Sequence, residues 1–135
     1  MTVFVDTSAC LAFTAASDKD HAAARTIYGD LVQRDERLVT TSYVLAEAMG
    51  LIQHRLGWEP LQRFAATAAT FDVAWIDASR HRAAEQVLFG LHRRRVNIVD
   101  AASFVVMREM GISTAFAFDP DFAQEGFRVI GPSAG

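Results

Sequence analysis

The sequence predicts an α/β fold in which a mostly parallel sheet is covered on both faces by helices. Three observations lead there. Short runs of β-branched and aromatic residues alternate with helix-compatible stretches along the chain, the order that builds parallel sheets. Several of the helix-compatible stretches follow an Asp, Ser or Asn, whose side chains satisfy the free N–H groups of a first turn. Two of them run into Gly57 and Gly111, residues suited to stop a helix. Right-handed crossovers then put the functional edge at the C-terminal ends of the strands.

Taken in order, Val3–Val5 reads as a short buried strand with Asp6 at its end. Ser8–Thr14 suits a short helix. Asp18 caps a second helix over about Lys19 to Gln33, with Ala22, Ala23, Thr26, Ile27 and Leu31 on its inner face. Asp35-Glu36-Arg37 is a charged turn before the strand Leu38–Thr40. Ser42 caps a helix over Tyr43–Leu56, and Pro60 sits in the first turn of the next, which runs to about Thr70. Asp72–Ile76 contains a strand. Asp77 caps a helix from Ala78 to about Arg93, with Ala84, Val87, Leu88 and Leu91 inward. After the basic connector Arg93-Arg94-Arg95, Asn97 caps a helix over Ile98–Met110 that is apolar on nearly every side and therefore central. Thr114–Phe118 is a strand, Asp119-Pro120-Asp121-Phe122 a turn or short helix, and Phe127–Ile130 a last strand at the edge. Residues 132–135 read as a frayed tail, which leaves one domain over 1–131.

Composition narrows the function classes. A chain of 135 residues with 51% hydrophobic residues and three prolines is one ordinary globular domain. Its net charge of −3 gives no general attraction to nucleic acid, so any such binding needs a local basic patch. The cations are twelve Arg and one Lys, Lys19, and Arg suits bidentate phosphate contacts better than Lys. Cys10 is the single cysteine, which excludes an internal disulfide and a Cys-based zinc cage. The four His form no HExxH pattern. The uncharged run Thr7–Ser17 is too short to cross a bilayer, and the apolar start carries Asp6 and no early cation, unlike a signal peptide. A soluble cytoplasmic protein is the expectation.

Four acids stand out by position. Asp6 and Asp119 each end a strand, so they share a sheet edge if both strands are parallel and central. Glu47 lies on the helix face of Tyr43, Val44 and Leu51, which points it toward an apolar side where a carboxylate needs a partner. Asp100 lies in the first turn of the most apolar helix. Each has an ordinary structural reading beside this one. Asp6 can cap the helix that follows, Glu47 can pair with an Arg, Asn97 and Asp100 are spaced as a capping box, and Asp-Pro at 119–120 is a helix start. Those readings do not explain four acids aimed at one place. Clustered carboxylates raise one another's pKa, and a hard divalent cation removes that cost while bridging to phosphate. Such a site suits attack of water on a phosphodiester.

The residues Val3-Phe4-Val5-Asp6-Thr7-Ser8, Tyr43-Val44-Leu45-Ala46-Glu47, Val99-Asp100-Ala101-Ala102-Ser103 and Phe118-Asp119-Pro120-Asp121-Phe122 resemble the PIN-domain family, in particular its VapC-type toxin ribonucleases. The resemblance runs over essentially the whole chain. It implies a three-layer PIN-like fold with about five strands, and a Mg2+- or Mn2+-dependent endoribonuclease with Asp6, Glu47, Asp100 and Asp119 as catalytic and metal-holding residues. Thr7, Ser8 and Ser103 match small hydroxyl positions that support the acids, and Asp121 is expected to be a solvated turn residue. The resemblance also implies a homodimer and a VapB-like antitoxin whose extended tail lies in a groove. Cys10, Leu11 and Phe13 could line that groove or belong to the core.

RNA binding needs cations near the acids, and Arg93, Arg94 and Arg95, with His92 beside them, precede Asp100 closely enough to flank it. They can equally be a solvated helix end. Tyr43, Trp58 and Trp75 are candidates for stacking on unpaired bases, Trp75 being expected in the core. A haloacid-dehalogenase-like phosphatase, which needs a second Asp two residues after the first, is disfavoured by Ser8. A PIN-like module that binds RNA or protein without turnover, and an RNA-processing nuclease outside a toxin–antitoxin pair, are the alternatives.

Overall fold

The fold grows outward from β1 (Thr2–Val5), where Val3, Phe4 and Val5 are fully buried. A strand covered on both faces has no polar alternation, and this one has none. The other strands are β2 (Arg37–Thr41), β3 (Asp72–Ala74), β4 (Thr114–Phe116) and β5 (Arg128–Ile130). In the computed structural model, which describes residues 1–131, they form one sheet in the order β3-β2-β1-β4-β5 with every neighbouring pair parallel. Between and after them lie α1 (Thr7–Thr14), α2 (His21–Gln33), α3 (Ser42–Leu56), α4 (Trp58–Ala68), α5 (Ala78–Leu91), α6 (Ile98–Met110) and α7 (Asp121–Gln124). The frayed tail expected at 132–135 lies outside the described residues.

The strand pleat sorts the helices into layers. Successive residues of a strand face opposite sides, so Val5 and its register partner Phe116 share one face while Phe4 and Ala115 share the other. On the first face Phe116 meets Phe13 of α1 at 6.3 Å, and Phe13 in turn meets Tyr28 of α2 at 4.9 Å and Phe64 of α4 at 6.2 Å. On the second, Phe4 meets Phe122 of α7 at 6.2 Å, and Phe122 packs edge-on to Phe104 of α6 at 5.1 Å. Helices thus cover both faces of the sheet, the three-layer arrangement expected.

Several boundaries differ from the sequence reading. Asp18 does not start α2; its carboxylate accepts the Asp20 N–H at 2.8 Å in a separate turn, and the helix begins at His21. The inner face of α2 is accordingly Ala24, Ile27, Tyr28 and Leu31, and Ala22 and Thr26 are exposed. Thr41 rather than Ser42 caps α3, accepting the Val44 N–H at 3.0 Å, while the Ser42 hydroxyl accepts the Ile76 N–H at 2.9 Å. β3 ends at Ala74, which leaves Trp75 outside the sheet and 68% exposed rather than in the core. β4 ends at Phe116, so Asp119 sits in a loop two residues beyond Ala117 and not at the strand end. Gly131 fixes part of that loop: a Cβ on it would stand 2.3 Å from the Ala117 carbonyl oxygen, an approach only glycine permits.

Chain order reverses at β1. β2 and β3 build out on one side of it, and β4 and β5 on the other. The crevice beyond the C-terminal ends of β1 and β4 is therefore the topological switch point, where parallel sheets bind ligands.

Candidate active site

Asp6 enters the switch-point crevice directly from β1. Its backbone N–H donates to the Phe116 carbonyl at 3.1 Å, continuing the β1–β4 pairing by one residue. Its Oδ2 accepts the Ser8 N–H at 3.2 Å and the Ser8 hydroxyl at 2.5 Å, so it caps α1. The Ser8 hydroxyl also accepts the Phe118 N–H at 2.9 Å, which ties the Asp6 corner to the loop carrying Asp119. Asp6 is only 2% exposed, and its Oδ1 has no hydrogen-bond partner. Burial pushes its carboxyl up to about 6, against the pull of the Ser8 hydrogen bonds, and the charge on Asp119 adds to the rise.

Asp100 and Glu47 meet through Asn97. Asn97 and Asp100 form a reciprocal capping box at the start of α6, each side chain bonded to the other's backbone N–H at 3.0 Å. The Asn97 side-chain amide also donates to Glu47 Oε2 at 3.4 Å, bridging α6 to α3. Burial raises the Asp100 carboxyl to about 7, the Asn97 N–H opposes this, and the charges on Asp6, Asp119 and Glu47 all add to it. Asp100 thus feels all three other acids, which is the electrostatic signature of one shared cup. Asp119 completes it. Its Oδ1 accepts the Asp121 N–H at 2.9 Å; burial and the Asp121 carboxyl raise it, while that N–H and the Arg95 guanidinium lower it.

Asp6, Glu47 and Asp119 therefore each lie within electrostatic reach of Asp100, and each of the four acids has one oxygen held by a protein hydrogen bond: Asp6 Oδ2, Glu47 Oε2, Asp100 Oδ2 and Asp119 Oδ1. Among the described residues no three His, Cys, Asp or Glu form a ready-made cage for a metal ion.

The supporting positions divide. Ser8 holds Asp6 as described. Thr7 is buried beside it, with no partner for its hydroxyl. Ser103, one helical turn after Asp100, is buried and donates to the Val99 carbonyl at 3.0 Å within its own helix. Asp121 is not a solvated turn residue: it is 3% exposed, because the turn that buries Phe122 carries its side chain inward too. The basic connector also splits. Arg94 and Arg95 are exposed, but Arg93 turns in and donates to Gln124 Oε1 at 2.5 Å and Glu125 Oε2 at 3.0 Å. Tyr43 is bonded to the His81 ring, whereas Trp58 is open. Cys10 and Phe13 belong to the core. Leu11 lines a groove of about 270 Å³ with Ala15, Leu51, Ile52 and Leu56, and Phe13 lines a second one, of about 440 Å³, with His21, Tyr28 and Phe64.

Sequence reasoning missed the bridging role of Asn97, the burial of Asp121 and the inward turn of Arg93. The Asn97–Asp100 spacing was visible, and a carboxamide with donors to spare is the signal that it can serve a second acid. The other two depend on α7 meeting the α5–α6 connector, which no local pattern announces.

Known proteins share this fold. The family model described as PIN domain matches residues 3–127. The 23S rRNA-specific endonuclease VapC20 of Mycobacterium tuberculosis strain H37Rv is 35% identical over 136 residues, covering 96% of this chain and 98% of that protein. The crystal structure of Mycobacterium tuberculosis VapC20, described as a Sarcin-Ricin loop cleaving toxin, superposes with a TM-score of 0.86 at 32% identity over 96% of this chain and 99% of that one. VapBC2 from Rickettsia felis, bound to a DNA fragment from its promoter, matches in fold, with a TM-score of 0.71 at 10% identity over 96% and 98% of the two chains. This chain belongs to the PIN-domain family.

Proposed function

We propose that this protein is an endoribonuclease that hydrolyses RNA phosphodiesters with Mg2+ or Mn2+ held at Asp6, Glu47, Asp100 and Asp119, and that it is the toxin of a VapBC-type pair. The convergence of four acids from four separate segments at the switch point carries the reading. The relative named as a 23S rRNA-specific endonuclease supports it and makes rRNA the first substrate class to try.

The residues fit a hard divalent cation. Every donor is a carboxylate oxygen, Asp6 Oδ1 is a buried acceptor without a partner, and the raised Asp6 and Asp100 carboxyls mark charge that the protein alone does not compensate. Mg2+ keeps several waters and takes one or two carboxylates directly, so it would not require a closed protein cage. Such an ion supplies an activated water and neutralises charge on the phosphate. The protein's own part is orientation. Ser8, Asn97 and the Asp121 N–H each anchor one carboxylate oxygen and leave the other for ligation, the outer support that metal-binding carboxylates depend on. Arg95, whose charge acts on Asp119, and the exposed Arg94 beside it would attract the RNA backbone.

The partner reading follows the same kinship. A VapB-like antitoxin segment would lie in the groove lined by Leu11, Ala15, Leu51 and Leu56, with Arg55 and Asp18 at its rim. The homodimer of the family is part of the proposal, as is a cytoplasmic place of action. Among the described residues no helix is long and apolar enough to cross a membrane.

The test is cleavage of ribosomal and synthetic RNA by metal-stripped protein. Cleavage is expected on adding Mg2+ or Mn2+ and none in EDTA. Full activity in EDTA would reject the metal site. RNA binding without cleavage under any divalent ion would favour the binding-only alternative.

A further inference from the structure

Arg93 lies in the connector whose cations are natural RNA contacts, yet its guanidinium points into the protein. One amino group donates to Gln124 Oε1 at 2.5 Å. The other donates to Glu125 Oε2 at 3.0 Å and lies 4.0 Å from Asp121 Oδ1. The second oxygen of Glu125 is taken by Arg108 of α6 at 2.9 Å, and the Arg108 guanidinium rests over the rings of Phe127 at 5.3 Å and Phe104 at 5.9 Å. The Glu125 side chain is only 11% exposed. Arg93 is 29% and Arg108 47% exposed, so solvent screens the cations in part, but removing either leaves the largely buried Glu125 carboxylate with one partner fewer. The two arginines therefore grip the end of α7 from both flanks. A helix of four residues has little stability of its own, so its position is set by these contacts and by Phe122.

What α7 positions is Asp119. The Asp121 N–H, in the first turn of α7, is the hydrogen bond that fixes Asp119 Oδ1. We infer that Arg93, gripping α7 through Glu125 opposite Arg108, is a positioning residue that aims the Asp119 carboxylate into the acidic cup, and is not an RNA contact. This rests on the ribonuclease reading above. In this respect Arg93 differs from its neighbours Arg94 and Arg95, whose side chains are exposed.

Three variants of the full chain, Arg93→Ala, Glu125→Gln and Arg94→Ala, separate the two roles, provided the wild type cleaves RNA. RNA binding is measured in EDTA across a salt series, and kcat is measured at saturating RNA across a Mn2+ series. For Arg93→Ala the expected result is RNA affinity within about twofold of wild type, an unchanged salt slope, a kcat lowered by about tenfold to a hundredfold, and a higher Mn2+ requirement. Glu125→Gln, which removes a negative charge and so cannot weaken RNA binding by losing a cation, should show the same kcat loss. The double variant should be no worse than either single one. Arg94→Ala should do the reverse, weakening RNA binding and lowering the salt slope by about one. If Arg93→Ala instead matches Arg94→Ala, or if its kcat and Mn2+ requirement stay at wild-type values, the inference is wrong. A loss of active fraction at unchanged kcat per folded molecule, seen by thermal denaturation, would also overturn it. Absence of cleavage by the wild type would overturn the ribonuclease reading instead.

Discussion

Asp100→Asn is expected to lower RNA cleavage at least about a hundredfold while making the metal-free protein more stable at pH 8. The two effects share a cause. At pH 8 the Asp100 carboxyl is ionised although burial and the charges of Asp6, Asp119 and Glu47 oppose it, so the fold carries a penalty that the unfolded chain does not. Asparagine removes the charge and keeps an oxygen to accept the Asn97 N–H, so the capping box survives. Allowing for solvent screening, the gain is about 1–2 kcal/mol in urea denaturation. It should shrink as pH falls below 7 and be gone only below about pH 4, where Asp100 is protonated in both the folded and the unfolded chain. A variant less stable than wild type at pH 8 would contradict the picture of an uncompensated cup.

The second large effect is in the pH dependence of the metal-free wild type. The folded carboxyls of Asp6 and Asp100 titrate at about 6 and about 7, against 3.8 for the ordinary group. Between these values the native state holds protons that the unfolded chain has released, so unfolding free energy falls as pH rises. Below about pH 4 neither state is ionised there and the penalty is absent; above pH 7 it is complete. Acidification from pH 8 to pH 5 should therefore stabilise the metal-free protein, with a slope of about 1–2 kcal/mol per pH unit from this pair. Saturating Mn2+ should raise the thermal midpoint strongly at pH 8 and little at pH 5, where protons compete for the same oxygens. A metal-free protein that loses stability steadily from pH 8 to pH 5 would count against the cup.

Much of this was legible in the sequence because the site is built from ordinary local structure. Asp6 follows a run of fully buried strand residues, so its place at the sheet edge needs only the parallel topology. Glu47 was placed by helix phase, sharing a face with Val44 and Leu51, and it does turn toward Asn97. The readings that competed at these positions turned out not to exclude one another. Asp6 caps α1 and lines the cup, and Asp100 completes a capping box and lines the cup, because a carboxylate has two oxygens and the cap uses one. Asp119 came out differently. It accepts the Asp121 N–H from a loop, and Pro120 takes the position before α7.

What stayed hidden depends on contacts distant in sequence. The Asp-Pro-Asp turn is polar, and nothing in it shows that Phe122 will be driven between Phe4 and Phe104 and take Asp121 inside. Three consecutive arginines look alike until α7 supplies Gln124 and Glu125 for one of them. Trp75 has strong strand propensity, but β3 is an edge strand of three residues and ends before reaching it.

The most direct measurement is the anomalous scattering of Mn2+ in crystals of the wild-type protein soaked at neutral pH. A Mn2+ peak bounded by Asp6, Glu47, Asp100 and Asp119, and lost in Asp100→Asn crystals, is the predicted result. Mn2+ bound elsewhere, or a cup that stays free of Mn2+ at millimolar concentration with its carboxylates ionised, would contradict the account.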